Sequence, residues 1–140
     1  MAYEHDKSSL GDLILIFRRS ILESIREEGL KHDLTLSHIE VLNFIGPARR
    51  ETMKNIALYL KITPPSATEI VAEMEKKGLV KRESDENDRR VVFIVLTDIA
   101  KKLFVSVSRR KDLILKKMTS KINKKDCKSL ERIIRILIAN

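Results

Sequence analysis

Tryptophan is absent from this chain, and aromatic residues make up only 4% of it. The core must therefore be built mostly from Ile, Leu and Val, with Phe17, Phe44, Phe93 and Phe104 joining it. A single cysteine, Cys127, excludes an intramolecular disulfide and a cysteine-rich metal site. Three prolines and four glycines leave few forced breaks, a composition that favours helix. No apolar run approaches the length needed to cross a bilayer. The opening MAYEHDKSSL lacks the basic-then-apolar order of a secretory signal, so the expected compartment is the cytoplasm. Also missing are a nucleophile–base pair, a glycine-rich phosphate loop and a metal cluster, and His5, His32 and His38 show no ligand spacing. Neither enzymatic activity nor a metal or cofactor is expected.

What is present is a chain long enough, at 140 residues, for one domain with a real core. Its net charge of +8 is unevenly spread. Residues 1–100 carry 15 basic and 17 acidic residues, whereas residues 101–140 carry 13 and 3. A basic balance points to a polyanionic partner, nucleic acid before a membrane surface. The plainer alternative is that long surface helices carry lysine for solubility.

Apolar residues recur at three- and four-residue spacing in Leu10, Leu13, Ile14, Phe17, Ile21 and Ile25, which predicts a helix ending at Gly29. A second helix can open at Thr35 with His38, or at Ser37 with Glu40 as a capping box, and stops at Gly46-Pro47. Thr52 caps a third helix, and Thr63 with Pro64 starts a fourth that Gly78 closes. Residues 79–83 and 90–96 favour strand and form a hairpin. Thr97 caps a long fifth helix, with Ile99, Leu103, Val107, Ile114 and Met118 facing inward. A sixth carries Leu130, Ile133, Ile134, Leu137 and Ile138.

Two short helices joined tightly, the second opened by small polar residues, are a helix-turn-helix signature, and the hairpin after them makes it winged. The major groove admits one helix, and small residues at its start allow close approach to base edges. Pro65, Ser66, Thr68 and Glu69 lie there, and free N–H groups of that turn suit phosphate. The apolar strand anchors the hairpin while its tip projects Arg89 and Arg90 toward a narrow minor groove, with Asp88 holding one guanidinium.

The stretches LTLSHIEVL and IALYLKITPPSATEIVAEMEKKGLVKRESDENDRRVVFIVLT resemble the MarR family of transcription regulators, and with the flanking helices the pattern covers nearly the whole chain. The resemblance implies a mainly α fold with a small β-hairpin wing: a winged helix-turn-helix at about 34–97, and dimerisation helices at about 8–29 and 98–140 within a single domain, 1–140. It implies a homodimer interlocked through the first and last helices, for which Leu10, Leu13, Phe17, Ile133, Ile134 and Leu137 are the candidate contacts. It implies that Ser66, Thr68 and Glu69 face bases, and that Asp88 and Arg90 match the wing-tip pair. Lys54, Arg49 and Arg50 would touch phosphates. A small aromatic or phenolic effector, bound between the arm and the reading head, releases DNA in many members; in others an oxidised cysteine does so. The chain departs from the common pattern at Glu69, at Ala100 and at His38, where glutamine is frequent.

The reading is a homodimeric, sequence-specific regulator of double-stranded DNA, acting as a repressor on a pseudo-palindromic operator and tuned by a small molecule, with no membrane partner. The alternative is a winged-helix module that binds protein or general nucleic acid within a larger assembly.

Overall fold

A computed structural model describes residues 9–139; His5 and the first residue of the predicted 8–29 helix lie outside them. Helix α1 spans Leu10–Leu30, α2 Leu36–Ile45, α3 Met53–Leu60, α4 Pro64–Lys76, α5 Asp98–Thr119 and α6 Lys124–Ile138. Strands are β1 (Glu51–Thr52), β2 (Val80–Ser84) and β3 (Val92–Leu96). The strands form one antiparallel sheet in the order β1-β3-β2, with Thr52 opposite Phe93 and Arg82 opposite Ile94. The expected hairpin is therefore a three-stranded sheet.

Each helix begins where a side chain can satisfy an orphan N–H. Ser9, Thr35, Thr52, Thr63, Thr97 and Asn123 are the N-caps. At α2 the cap is Thr35 with His38, not Ser37 with Glu40. Thr35 Oγ1 accepts the His38 N–H at 3.2 Å, and His38 Nδ1 accepts the Thr35 N–H at 3.2 Å. Gly46 and Gly78 end their helices at φ 64° and 68°, as turn glycines should.

Gly29 plays a different part from the expected helix stop. It sits buried inside α1, and the left-handed residue beyond the helix is Asp33, at φ 56°. The Leu34 N–H closes the end onto the Gly29 carbonyl at 2.9 Å. A Cβ on Gly29 would meet Ile39 Cδ1 at 2.6 Å and the Leu34 carbonyl oxygen at 3.0 Å. The glycine is there because α2 packs directly on that backbone. Gly29→Ala should lower stability by about 1–2 kcal/mol, overpacking outweighing the gain in helix propensity. Gly11→Ala, whose new Cβ meets only Ser9 Oγ at 3.6 Å, should raise it. Thermal unfolding of the two variants side by side checks the sign.

The core is aliphatic, as the composition demanded. Leu42, Ile45, Ile56, Val71, Met74 and Ile94 are fully buried, drawn from three helices and the sheet. None of the four phenylalanines is fully buried. Phe44 stacks on Tyr59 with centroids 4.2 Å apart, and Phe17 is 40% exposed. In α5 Ala100 and Val107 are buried and Leu103 packs against the core, while Ile99 is 61% exposed. The reason is local. Thr97 Oγ1 donates to the Gly78 carbonyl at 2.6 Å and accepts the Ala100 N–H at 3.3 Å. That anchor sets the rotation of the helix.

No residue of α6 is buried. Its apolar residues, and those at the start of α1, are left open to solvent, with Leu10 74% and Leu137 69% exposed.

Candidate nucleic-acid interface

Helices α3 and α4 meet at a turn one left-handed residue deep. Lys61 adopts φ 54°, and the Ile62 N–H returns to the Ala57 carbonyl at 3.1 Å. Thr63 then caps α4, with Pro64 and Pro65 as its first residues. On the inner side Ala67, Val71 and Met74 are buried; on the outer side Pro65, Thr68 and Glu69 are exposed and Ser66 is half-buried.

Three polar ties hold this helix from behind. His38, only 2% exposed, donates from Nε2 to Glu73 at 3.2 Å; that tautomer follows because Nδ1 accepts from Thr35. Arg82 of β2 pairs with Glu75 at 3.4 Å, joining the hairpin to α4. Lys77 pairs with Asp33 between α1 and α2, and its ammonium holds the Asp33 carboxyl below the usual carboxylate range. None of these pairs has a sequence signal, since the partners are 35, 7 and 44 residues apart.

The expected phosphate cradle at the start of α4 is not formed. Pro64 and Pro65 have no N–H, the Ser66 N–H goes to Thr63 Oγ1 at 3.4 Å, and the Ala67 N–H goes to the Thr63 carbonyl at 3.0 Å. What the turn offers is side chains. Thr68 Oγ1 donates its proton to the Pro64 carbonyl at 3.0 Å, leaving a hydroxyl lone pair and a methyl group outermost. Those match a cytosine or adenine amino group and a thymine methyl. Glu69 is a pure acceptor and fits a cytosine N4 amine. Ser66 Oγ is hydrogen-bonded to Thr63 Oγ1 at 2.9 Å.

The wing tip is shaped by two aspartates. Asp85 accepts the Asn87 N–H and Asp88 accepts the Arg90 N–H, each at 3.0 Å. The Asp85 N–H and the Val91 carbonyl close the loop at 2.9 Å. Asp88 thus fixes the backbone of the tip; it does not clamp a guanidinium as expected. Arg89 and Arg90 are exposed, and neither has an ion pair among the described residues. Lys54 is exposed on the first turn of α3. Arg49 is exposed as well, while Arg50 lies over the Phe93 ring at 4.1 Å and is held on the sheet by a cation–π contact.

Far along the chain, an apolar cleft of about 730 Å³ is lined by Phe17, Ile21, Met118, Leu130, Ile134 and Ile138. It brings the expected interface residues Phe17 and Ile134 to one place. Leu10, Leu13, Ile133 and Leu137 stand exposed on the same two helices. Cys127 also lines the cleft, half-buried, its Sγ 3.9 Å from the Thr119 carbonyl oxygen. Among the described residues no group of His, Cys, Asp and Glu could hold a metal, and no helix is long and apolar enough to cross a membrane.

The model of the MarR family matches residues 32–91 of this chain, from the end of α1 to the wing. YfiV of Bacillus subtilis, an uncharacterized helix-turn-helix transcriptional regulator, is 31% identical over 90 residues, covering 64% of this chain and 56% of that protein. The match thus spans little more than half the length of that relative. Among solved structures, apo MarR from E. coli superposes with a TM-score of 0.76 at 20% identity, covering 94% of this chain and 98% of that one. A MepR mutant from S. aureus bound to an oligodeoxyribonucleotide gives 0.68 at 18% identity, covering 94% and 97%. At these identities the likeness is one of fold.

Proposed function

We propose that this chain is a winged-helix transcriptional regulator of the MarR type, a homodimeric repressor that reads a specific duplex. The exposed face of α4 at Pro65, Ser66, Thr68 and Glu69 enters the major groove. Arg89 and Arg90 enter the flanking minor groove, and Lys54 touches a phosphate. The observation that carries the reading is the division of α4 into a locked inner face and an open outer one beside an unpaired arginine tip. A reading helix must present its side chains without moving, because base-edge contacts are directional. The solved relative bound to an oligodeoxyribonucleotide supports the same use of the fold.

The apolar faces of α1 and α6 supply the dimer. In a two-fold pair each open stripe covers its counterpart, and two reading helices about 34–36 Å apart favour a pseudo-palindromic site. The domain then divides into a head at about 34–97 and an arm at about 8–29 and 98–140. A small aromatic or phenolic effector acts between them. The hollow of about 560 Å³ bounded by Arg26, Leu30, Asp33, His38, Glu73 and Lys77 lies where α1, α2 and α4 meet, and its occupant would press on two of the ties that hold α4.

One observation favours the alternative of a protein-binding or general nucleic-acid module. Residues 34–97 carry 10 basic residues against 9 acidic, little charge for gripping phosphate. Selecting duplexes from a random library and competing them by gel shift separates the two readings. A selected duplex should outcompete random DNA at least tenfold; equal competition by every duplex ends the operator reading. With the selected duplex, Arg90→Ala should weaken binding about tenfold, a loss of roughly 1.4 kcal/mol, most of all on A·T flanks. Its elution on sizing should not change. Unaltered affinity would remove the wing from the mechanism.

A further inference from the structure

The positive charge of this chain is not on its head. Most of it lies on the arm, and in α6 it has a definite geometry. Lys124, Lys125, Lys128, Arg132 and Arg135 fall on one side of the helix with Glu131 the only acid among them. Cys127, Leu130, Ile134 and Ile138 fall on the other and line the cleft against α1 and α5, with the Glu131–Arg135 pair at its edge. The apolar side thus borders an open cleft, and Lys124, Lys125, Lys128 and Arg132 stand away from it. All five cations are exposed. Arg135 pairs with Glu131 at 2.7 Å; the other four have no ion pair among the described residues.

Unpaired like charges on one helix face repel each other and weaken the helix. An external polyanion relieves that repulsion. We infer that the outward face of α6 is a second duplex-binding surface, distinct from the reading head and indifferent to sequence. From Lys124 to Arg135 the row is about 16 Å long at 1.5 Å per residue. Duplex DNA carries roughly one charge per 1.7 Å of axis, so such a row faces several phosphates at once. The head's own duplex is not the expected partner, because α5, 22 residues and about 33 Å of helix, lies between the wing and the start of α6. The partner is therefore another segment of DNA. A bilayer is the competing occupant, since the apolar side is exposed along an open cleft, and the vesicle arm of the test separates the two. The inference stands on α6 alone and does not require that the head reads a specific operator.

The test uses the full chain and a random-sequence duplex. Wild type is compared with an arm variant, Lys124→Gln, Lys125→Gln, Lys128→Gln and Arg132→Gln together, and a head variant, Ser66→Glu with Thr68→Glu. Binding is followed by fluorescence anisotropy across roughly 50–200 mM salt. The head variant should keep salt-sensitive binding. The arm variant should lose it, with the slope of log affinity against log salt shallower by about 3 to 4. Sizing must give wild-type elution for both. As a readout needing no variant, wild type on a bead-tethered duplex should capture a second, labelled duplex and release it at high salt. A wild-type slope in the arm variant, absence of capture, or arm-dependent binding to phosphatidylserine vesicles without binding to duplex would each overturn the inference.

Discussion

Ile133→Asp combined with Ile134→Asp is expected to turn the proposed dimer into monomers while leaving the head folded. Both residues are about half exposed in the single chain, so charging them costs the isolated subunit little. In a two-fold seam each substitution occurs twice, which sets four carboxylates in one apolar interface. Burying an unpaired ion costs several kcal/mol, and each lost isoleucine forfeits roughly 1.5–3 kcal/mol of transfer energy. Dimer affinity should fall by more than about 10⁴ at 1.4 kcal/mol per decade. Binding to a two-half-site duplex should fall by about 10² to 10⁴, because the second head no longer binds at high effective concentration. Affinity for a single half-site should not change. Helical content and head unfolding should persist, since no residue of α6 belongs to the buried core. Sedimentation and gel shift on full and half sites measure both effects. A stable dimer carrying these aspartates would remove α6 from the interface.

Much of the fold was legible because its signals are local. N-cap threonines at 52, 63 and 97 and turn glycines at 46 and 78 act within a few residues of themselves. The winged head, its fourth helix and the open arm stripes follow from these and from apolar spacing. What was hidden depends on contacts across the chain. β1 is two residues long and exists only by pairing with Ile94 and Phe93. Gly29 reads as a stop from sequence, but only the approach of Ile39 shows that it is a packing site. Ile99 is the larger apolar residue, yet the Thr97 anchor buries Ala100 in its place. In the candidate interface the residue types were visible, but their bonding was not. Asp88 spends its carboxylate on the Arg90 backbone, and two prolines remove the N–H groups an anion would need. The ties through Glu73, Glu75 and Lys77 were invisible, since a single sequence carries no sign of partners set on other elements.

The inner and outer faces of α4 should fail in opposite ways when altered. Met74 is fully buried, and the Leu79 N–H closes the helix onto its carbonyl at 2.9 Å. Met74→Ala leaves a void the neighbouring Val71 and Ile56 cannot fill, and should cost about 2–5 kcal/mol. That is a large share of the roughly 5–15 kcal/mol holding a domain together. At about 3 °C per kcal/mol for a chain of this size, unfolding should begin roughly 6–15 °C lower. Below its midpoint the variant should still bind the selected duplex at close to wild-type affinity, because the outer face is intact. Thr68→Ala removes only an exposed methyl group and a hydroxyl bonded within its own turn, so stability should move by less than about 0.5 kcal/mol. Its affinity should nevertheless drop by about 1–3 kcal/mol, with specificity relaxed at one base pair. Calorimetry and gel shift on both variants give four numbers, and the expected pattern is a crossed one. If Met74→Ala, fully folded, loses as much affinity as Thr68→Ala, then the helix does not read DNA as a rigid edge. If Thr68→Ala loses none, the open face of α4 is not where bases are read.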